Sequence, residues 1–356
     1  MNVTIIGGGN IGTLMAAEIA HKGHYVTVYT PKKSAWDRHI EVYDSHENII
    51  ITGRIHKITS DMREAADNAD VIFITVPAQM FADLSERLLP YVKKDQYIGV
   101  IPGSGGAEFA FKNLIDTGCI VFGVQRVHSI ARLKRYGKSV YMLGRKKLLK
   151  TASIPSCPDR NISRLMENMF DITCVKMPNY LSVTLTPSNP VLHTARLYSM
   201  FKDYAMDVVY PRNFLFYEEW DLESAEWLLA CDKELQALCN TIPMNLKQVE
   251  SLQDYYESYD AASMAAKLKS INAFKGLASP MKKVYGGWVP DFESRYFATD
   301  FPYGLKIIKD IADLFEVQTP YIDTVWNWYA DTVKIANKAF FNLNMRDKSS
   351  FVSLYD

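Results

Sequence analysis

A short apolar run, Val3-Thr4-Ile5-Ile6, enters Gly7-Gly8-Gly9-Asn10-Ile11-Gly12 directly, and Leu14-Met15-Ala16-Ala17-Glu18-Ile19-Ala20 continues at helical spacing. No other feature constrains the fold as much. A strand that turns into a helix through G-x-G-x-x-G is the phosphate-binding turn of a doubly wound parallel sheet. Gly7 can make the tight turn, Gly9 leaves the backbone open to a pyrophosphate, and Gly12 lets the helix pack against the sheet. Free N–H groups at the helix start, around Asn10 and Ile11, then meet the phosphates. A second strand, Tyr25-Val26-Thr27-Val28-Tyr29, follows the helix. The chain therefore reads as opening with a Rossmann-type dinucleotide-binding unit.

The residue that ends the second strand helps to choose the dinucleotide. An Asp or Glu there hydrogen-bonds a ribose 2′-hydroxyl. This chain has Thr30, followed by Pro31-Lys32-Lys33-Ser34. A hydroxyl and two ammonium groups suit a 2′-phosphate, and no carboxylate stands there to repel it, so NADP is favoured over NAD. The bland reading is that Lys32 and Lys33 are a solvated loop.

Further along, a helical piece is expected after the second strand, then a hairpin over Ile49–Ile58 centred on Gly53. Asp61–Ala69 reads as a short helix before the apolar strand Val71–Val76, and further strands are expected at Tyr97–Ile101, Cys119–Val124 and Ser139–Leu143. Such continuous apolar runs belong to a parallel sheet covered on both faces. Pro77 closes the Val71 strand, where the following loop lies beside the nicotinamide ribose, and Pro102-Gly103-Ser104-Gly105-Gly106 is a loop on the same ligand side. From Pro178 the strand pattern stops, and Asp221–Cys239, Asp260–Phe274, Tyr303–Phe315 and Tyr321–Phe340 show helical spacing. Since 356 residues exceed what one core organises, two domains are expected. They are a dinucleotide-binding α/β domain over 1–180 and an all-α substrate domain over 181–356. The aromatic clusters Tyr255-Tyr256-Tyr259 and Trp326–Trp328 read as packing, and such residues suit a core or a homodimer interface.

Lys and Arg total 40 against 40 Asp and Glu, so no global field recruits nucleic acid or an anionic membrane. No apolar stretch approaches the roughly 20 residues of a membrane span. The first strand begins at residue 2, which leaves no room for a signal peptide, and a cytoplasmic protein is expected. The cysteines, Cys119, Cys157, Cys174, Cys231 and Cys239, are odd in number, scattered and never spaced as Cys-x-x-Cys. That spacing points to reduced thiols and to no structural metal.

The candidate chemistry lies at two places in the second half. In Thr186-Pro187-Ser188-Asn189-Pro190-Val191-Leu192-His193, Asn189 is a good N-cap and Pro190 suits the first helical position. His193 then falls one turn in, on the Asn189 face. The helix dipole disfavours a protonated His there, and a carboxylate partner would restore titration near neutrality and fix the tautomer. Ser294–Leu305 offers that carboxylate in Asp300, which by itself reads as the cap of the helix that follows.

Together, Asn189-Pro190-x-x-His193, Asp300-x-Pro302-x-Gly304 and the glycine signature resemble the opine dehydrogenase family, the octopine and nopaline dehydrogenase type, over nearly the whole chain. The resemblance implies an NAD(P)H-dependent reductive condensation. An amino acid's amine joins a 2-oxo acid such as pyruvate to give an N-(carboxyalkyl) amino acid. It also implies that His193 is the acid/base, Asp300 its orienting aspartate and Asn189 a residue near the substrate. Arg295 lies in the family block and could bind a substrate carboxylate or pair with an acid. The resemblance lapses at Thr30 and in loops around residues 145–160 and 205–220. Two other readings stand beside it. One is a reductase of a simple 2-oxo acid of the 2-dehydropantoate type, which would use a lysine such as Lys202. The other is a non-catalytic binder that senses dinucleotide redox state.

Overall fold

The computed structural model describes residues 1–156, 162–205, 207–334 and 347–355, so Cys157 and the end of the helix expected over Tyr321–Phe340 lie outside the described residues. The chain divides into two units. One holds Met1–Thr184 together with the residues from Ser353, and the other holds Leu185–Val352.

In the first unit the strands are β1 (Asn2–Ile6), β2 (Tyr25–Tyr29), β3 (His39–Tyr43), β4 (Ile49–Arg54), β5 (Lys57–Thr59) and β6 (Val71–Ile74). They continue as β7 (Tyr97–Val100), β8 (Ile120–Val124), β9 (Ser129–Arg135), β10 (Ser139–Arg145), β11 (Leu148–Ile154) and β12 (Thr173–Lys176). Eight of them form one sheet in the order β12-β11-β8-β7-β6-β1-β2-β5. From β5 to β8 every pairing is parallel, whereas β11 runs antiparallel to β8. Val71–Ile74 and Ile120–Val124 are buried at every residue, as apolar runs in a doubly covered sheet must be. β1 pairs with β2 on one side and β6 on the other. The strand order reverses there, and the loop after such a switch point is where an α/β sheet binds its ligand.

A second sheet, β4-β3-β10-β9, corrects the reading of the segment after β2. The helical piece expected there is one 3₁₀ turn, Lys33–Ala35, followed by β3. The hairpin joins β3 to β4, with Tyr43 opposite Ile49, and Lys57–Thr59 leaves it to pair with β2. Gly53 is thus no turn residue. A Cβ there would stand 2.4 Å from Ala17 O, so this glycine is where β4 presses on the first helix, Asn10–His21. Ile40, Val42, Ala131 and Val140 of this sheet share one apolar core with Leu14, Met15 and Ile19 of the helix. The helix also buries Glu18, which accepts from Arg145 and lies 2.6 Å from His128 Nε2. Burial pushes its carboxyl up, but His128 and Arg145 outweigh that and hold it below the ordinary value.

The second unit is helical, with helices Asn189–Phe201, Leu222–Thr241, Ala261–Ser270, Lys306–Leu314 and Pro320–Val333. Asp221 caps one helix by accepting from Ser224 N at 2.8 Å, and Asp260 and Ser263 form a reciprocal capping box on another. One hairpin interrupts the helical pattern, β13 (Met281–Val284) with β14 (Gly287–Pro290). Trp326 is fully buried, in keeping with a packing role, whereas Tyr259 is 90% exposed and takes no part in a core. Cys119, Cys174, Cys231 and Cys239 are buried free thiols. Among the described residues no helix is long and apolar enough to cross a membrane.

Candidate active site

The helix Asn189–Phe201 starts one residue earlier than its sequence suggests. Ser188 holds the cap position, Asn189 is the first helical residue and Pro190 the second. A proline anywhere in the first turn loses no intrahelical bond, which is why the shift is tolerated. Pro190 to Leu197 are all buried, and Asn189 is exposed. His193 is 4% exposed, and its Nδ1 lies 2.7 Å from Asp300 Oδ2.

Asp300 reaches His193 because the chain around it is irregular. A single helical turn, Arg295–Ala298, runs into a π-helix, Phe301–Leu305, in which Leu305 N donates to Asp300 O at 2.9 Å. Such wide turns accommodate one extra residue and re-aim the side chains beside them. Asp300 does not cap the following helix with its side chain, so its carboxylate is left for His193. Gly304 brings this turn against the His193 helix, where an added Cβ would stand 2.9 Å from Pro190 Cβ.

With the carboxylate on Nδ1, that nitrogen carries the proton in the neutral ring and Nε2 is the acceptor. Nε2 meets the hydroxyl of Tyr217 at 3.0 Å. The ring also packs on Tyr296, at 4.6 Å between centroids, and on Phe216. Arg295 is exposed, lies over Tyr296 and has no ion pair among the described residues. Lys202 ends the His193 helix and is paired with Glu223, so it stays clear of this cluster.

In the first unit the glycine loop fits a pyrophosphate. Gly7 has φ +118°, a conformation that favours glycine. Nothing lies within 4 Å of the Cβ direction of Gly9, whereas a Cβ on Gly12 would stand 2.0 Å from Gly7 O. Asn10 accepts from Leu133 N at 2.8 Å, which fixes the helix start against β9, and Ile11 packs against the core. Thr30 closes β2 with its Oγ1 3.0 Å from Tyr136 Oη and accepting from Lys32 N, and Lys32 Nζ lies 5.9 Å from the Tyr136 ring. Pro77 is exposed at the C-terminal end of β6.

Residues 176–333 match the family described as NAD/NADP octopine/nopaline dehydrogenase, alpha-helical domain, and residues 2–107 match the NAD-dependent glycerol-3-phosphate dehydrogenase N-terminus. An opine dehydrogenase of Haliotis discus hannai is 29% identical, over 92% of this chain and 89% of its own. The octopine dehydrogenase of Mizuhopecten yessoensis is 26% identical, over 94% of this chain and 90% of its own. The chain is thus similar to opine dehydrogenases over about nine tenths of its length, and its helical half matches the octopine/nopaline dehydrogenase domain. It is an NAD(P)-dependent oxidoreductase. A solved octopine dehydrogenase in complex with NADH and agmatine shares the fold, with TM-score 0.85 and 23% identity over 99% of this chain and 98% of that one. A second, holding NADH and pyruvate, gives TM-score 0.81 at 23% identity over 98% and 94%.

Three residues near these sites escaped the sequence reading. Tyr217 sits in an irregular aromatic stretch, in a loop where the family resemblance lapses. Arg196, one turn beyond His193, is 2% exposed and donates to Phe216 O, Glu219 O at 2.6 Å and Ser224 Oγ at 2.6 Å. Burial pulls its pKa below the ordinary value, and Asp221 opposes that. Tyr136 lies in the turn from β9 to β10, far in sequence from its partner Thr30. A buried arginine in a helix was the one signal available, since an unpaired guanidinium is not buried.

Proposed function

We propose that this chain is an opine dehydrogenase that condenses the amine of an amino acid with a 2-oxo acid and reduces the resulting imine, with His193 as acid/base and Asp300 as its partner. The observation that carries the reading is the 2.7 Å contact of His193 Nδ1 with Asp300 Oδ2, made by side chains from two distant segments. A carboxylate on Nδ1 fixes the tautomer and stabilises imidazolium, so Nε2 can take a proton as the amine is freed and return it when water leaves. NAD(P)H, when bound, supplies the hydride. Gly7, Gly9 and Gly12 with the helix start at Asn10 and Ile11 would hold its pyrophosphate, and Pro77 would border its nicotinamide end. Thr30, Lys32 and Lys33 favour NADP, because a hydroxyl and two cations follow β2 and residues 30–36 contain no Asp or Glu. Asn189 and Arg295, both exposed, are assigned to the substrate, Arg295 to a carboxylate.

The test is oxidation of NADPH and NADH with pyruvate, the oxo acid held by the octopine dehydrogenase structure, alone and with a panel of amino acids. Oxidation that requires both substrates is expected. Loss of roughly 10²- to 10⁴-fold in kcat is expected for His193→Ala, with NADPH binding unchanged. Oxidation driven by the oxo acid alone would replace the reading with a simple 2-oxo acid reductase.

A further inference from the structure

Both ring nitrogens of His193 are engaged by protein, Nδ1 by Asp300 and Nε2 by the Tyr217 hydroxyl. A proton passing between Nε2 and a substrate must therefore displace Tyr217 or go through it. The surroundings of Tyr217 oppose displacement. The residue is 6% exposed, and its ring stacks on Phe274 at 4.1 Å between centroids and on Trp220 at 6.0 Å. Its backbone is tied to the His193 helix, because Arg196 donates to Phe216 O and Glu219 O on either side of it. The hydroxyl makes one hydrogen bond among the described residues, the one to His193. An O–H that donates to Nε2 keeps lone pairs on its oxygen for a second group.

We propose, on the reading given under Proposed function, that Tyr217 is a further catalytic residue through whose hydroxyl His193 exchanges protons with the amino and oxo substrates. In the first transfer the substrate ammonium gives a proton to Tyr217 Oη as the phenolic proton passes to His193 Nε2. The amine is left with its electron pair, and the imidazolium is stabilised by Asp300. The amine adds to the oxo carbon to form a carbinolamine. In the return transfer Nε2–H goes back to Oη while the phenolic proton goes to the carbinolamine hydroxyl. That hydroxyl leaves as water as the C–N double bond forms. Tyr217 begins and ends as a neutral phenol. This suits its environment, since burial, and then the neighbouring Tyr296, Tyr256 and Asp300, push its ionisation well above the ordinary tyrosine range against the pull of Arg295.

The experiment compares the unmodified protein, Tyr217→Phe and His193→Ala for amine-dependent NADPH oxidation, with NADPH binding measured separately. Tyr217→Phe keeps the stacked ring and removes only the relay. It is expected to lower kcat by roughly 10²-fold or more while NADPH affinity stays within about twofold. A proton inventory, the rate against the deuterium fraction of the solvent, needs no variant. Two protons in flight give a curved inventory for the condensation step in the unmodified protein. Turnover of Tyr217→Phe within about threefold of the unmodified protein, alongside an inactive His193→Ala, overturns the relay and leaves the reading under Proposed function standing. A linear inventory also overturns it. Absence of any amine-dependent oxidation in the unmodified protein overturns both.

Discussion

Glu108 is a fully buried carboxyl in the first unit, and Glu108→Gln isolates what its ionisation does to stability. Oε1 accepts from the hydroxyls of Thr184 and Tyr355, and Oε2 has no hydrogen-bond partner among the described residues. Burial raises its pKa from 4.5 to about 7, with the two hydroxyls opposing. Below 4.5 the group holds its proton in both folded and unfolded chains. From there to about 7 only the folded chain holds it, so stability falls as pH rises through that window and the loss is complete above it. At 1.36 kcal/mol per pH unit the total is about 3 kcal/mol. A glutamine presents an oxygen to the same two hydroxyls and cannot ionise. The variant is therefore expected to exceed the stability of the unmodified protein by only about 1 kcal/mol at pH 5 and by about 3 kcal/mol at pH 8, the latter roughly 10 °C in melting midpoint for a domain of this size. Denaturant unfolding at pH 5, 6, 7 and 8 reads the difference directly. Parallel curves for the two proteins at every pH would refute the reasoning, because they would mean that Glu108 ionises alike in the folded and unfolded chains.

Asp300→Asn keeps the shape of the side chain and removes the charge opposite Nδ1, and a fall in kcat of roughly 10²- to 10⁴-fold with unchanged NADPH affinity is expected from steady-state kinetics and binding titration. The double variant Lys32→Ala, Lys33→Ala should raise the dissociation constant for NADPH by about tenfold, which is about 1.4 kcal/mol, and leave that for NADH within about twofold. Equal losses for the two dinucleotides would remove these lysines from 2′-phosphate recognition.

The sequence showed most plainly what depends on local rules. The glycine turn, the apolar runs of β1, β6 and β8, and the helix starts at Asp221 and Asp260 each depend on a few residues, and each stands where its pattern puts it. The second sheet was illegible because β3 carries only two inward apolar residues, Ile40 and Val42, set among polar neighbours. Gly53 misled for a related reason, since a glycine pressed against a helix and a glycine in a turn look the same in one dimension. At the site, His193 and Asp300 stood out through their blocks, but the distance joining them comes from tertiary packing. Tyr217 had no pattern to announce it, and Arg196 only its place in a mostly apolar helix. Their partners lie in a loop and on a helix face whose meeting no periodicity encodes.

The contact of Gly304 with Pro190 joins the backbone behind Asp300 to the backbone behind His193, and neither residue bears an ionisable atom. Together they act as a shim of fixed thickness under the two working side chains. Alanine, serine and valine at position 304 would form a graded set of thicker shims. Each would prise the carboxylate from the imidazole by a further fraction of an ångström and leave every charged group in the protein unchanged. The rate of such an enzyme can thus be retuned from a position that an inventory of polar residues never visits.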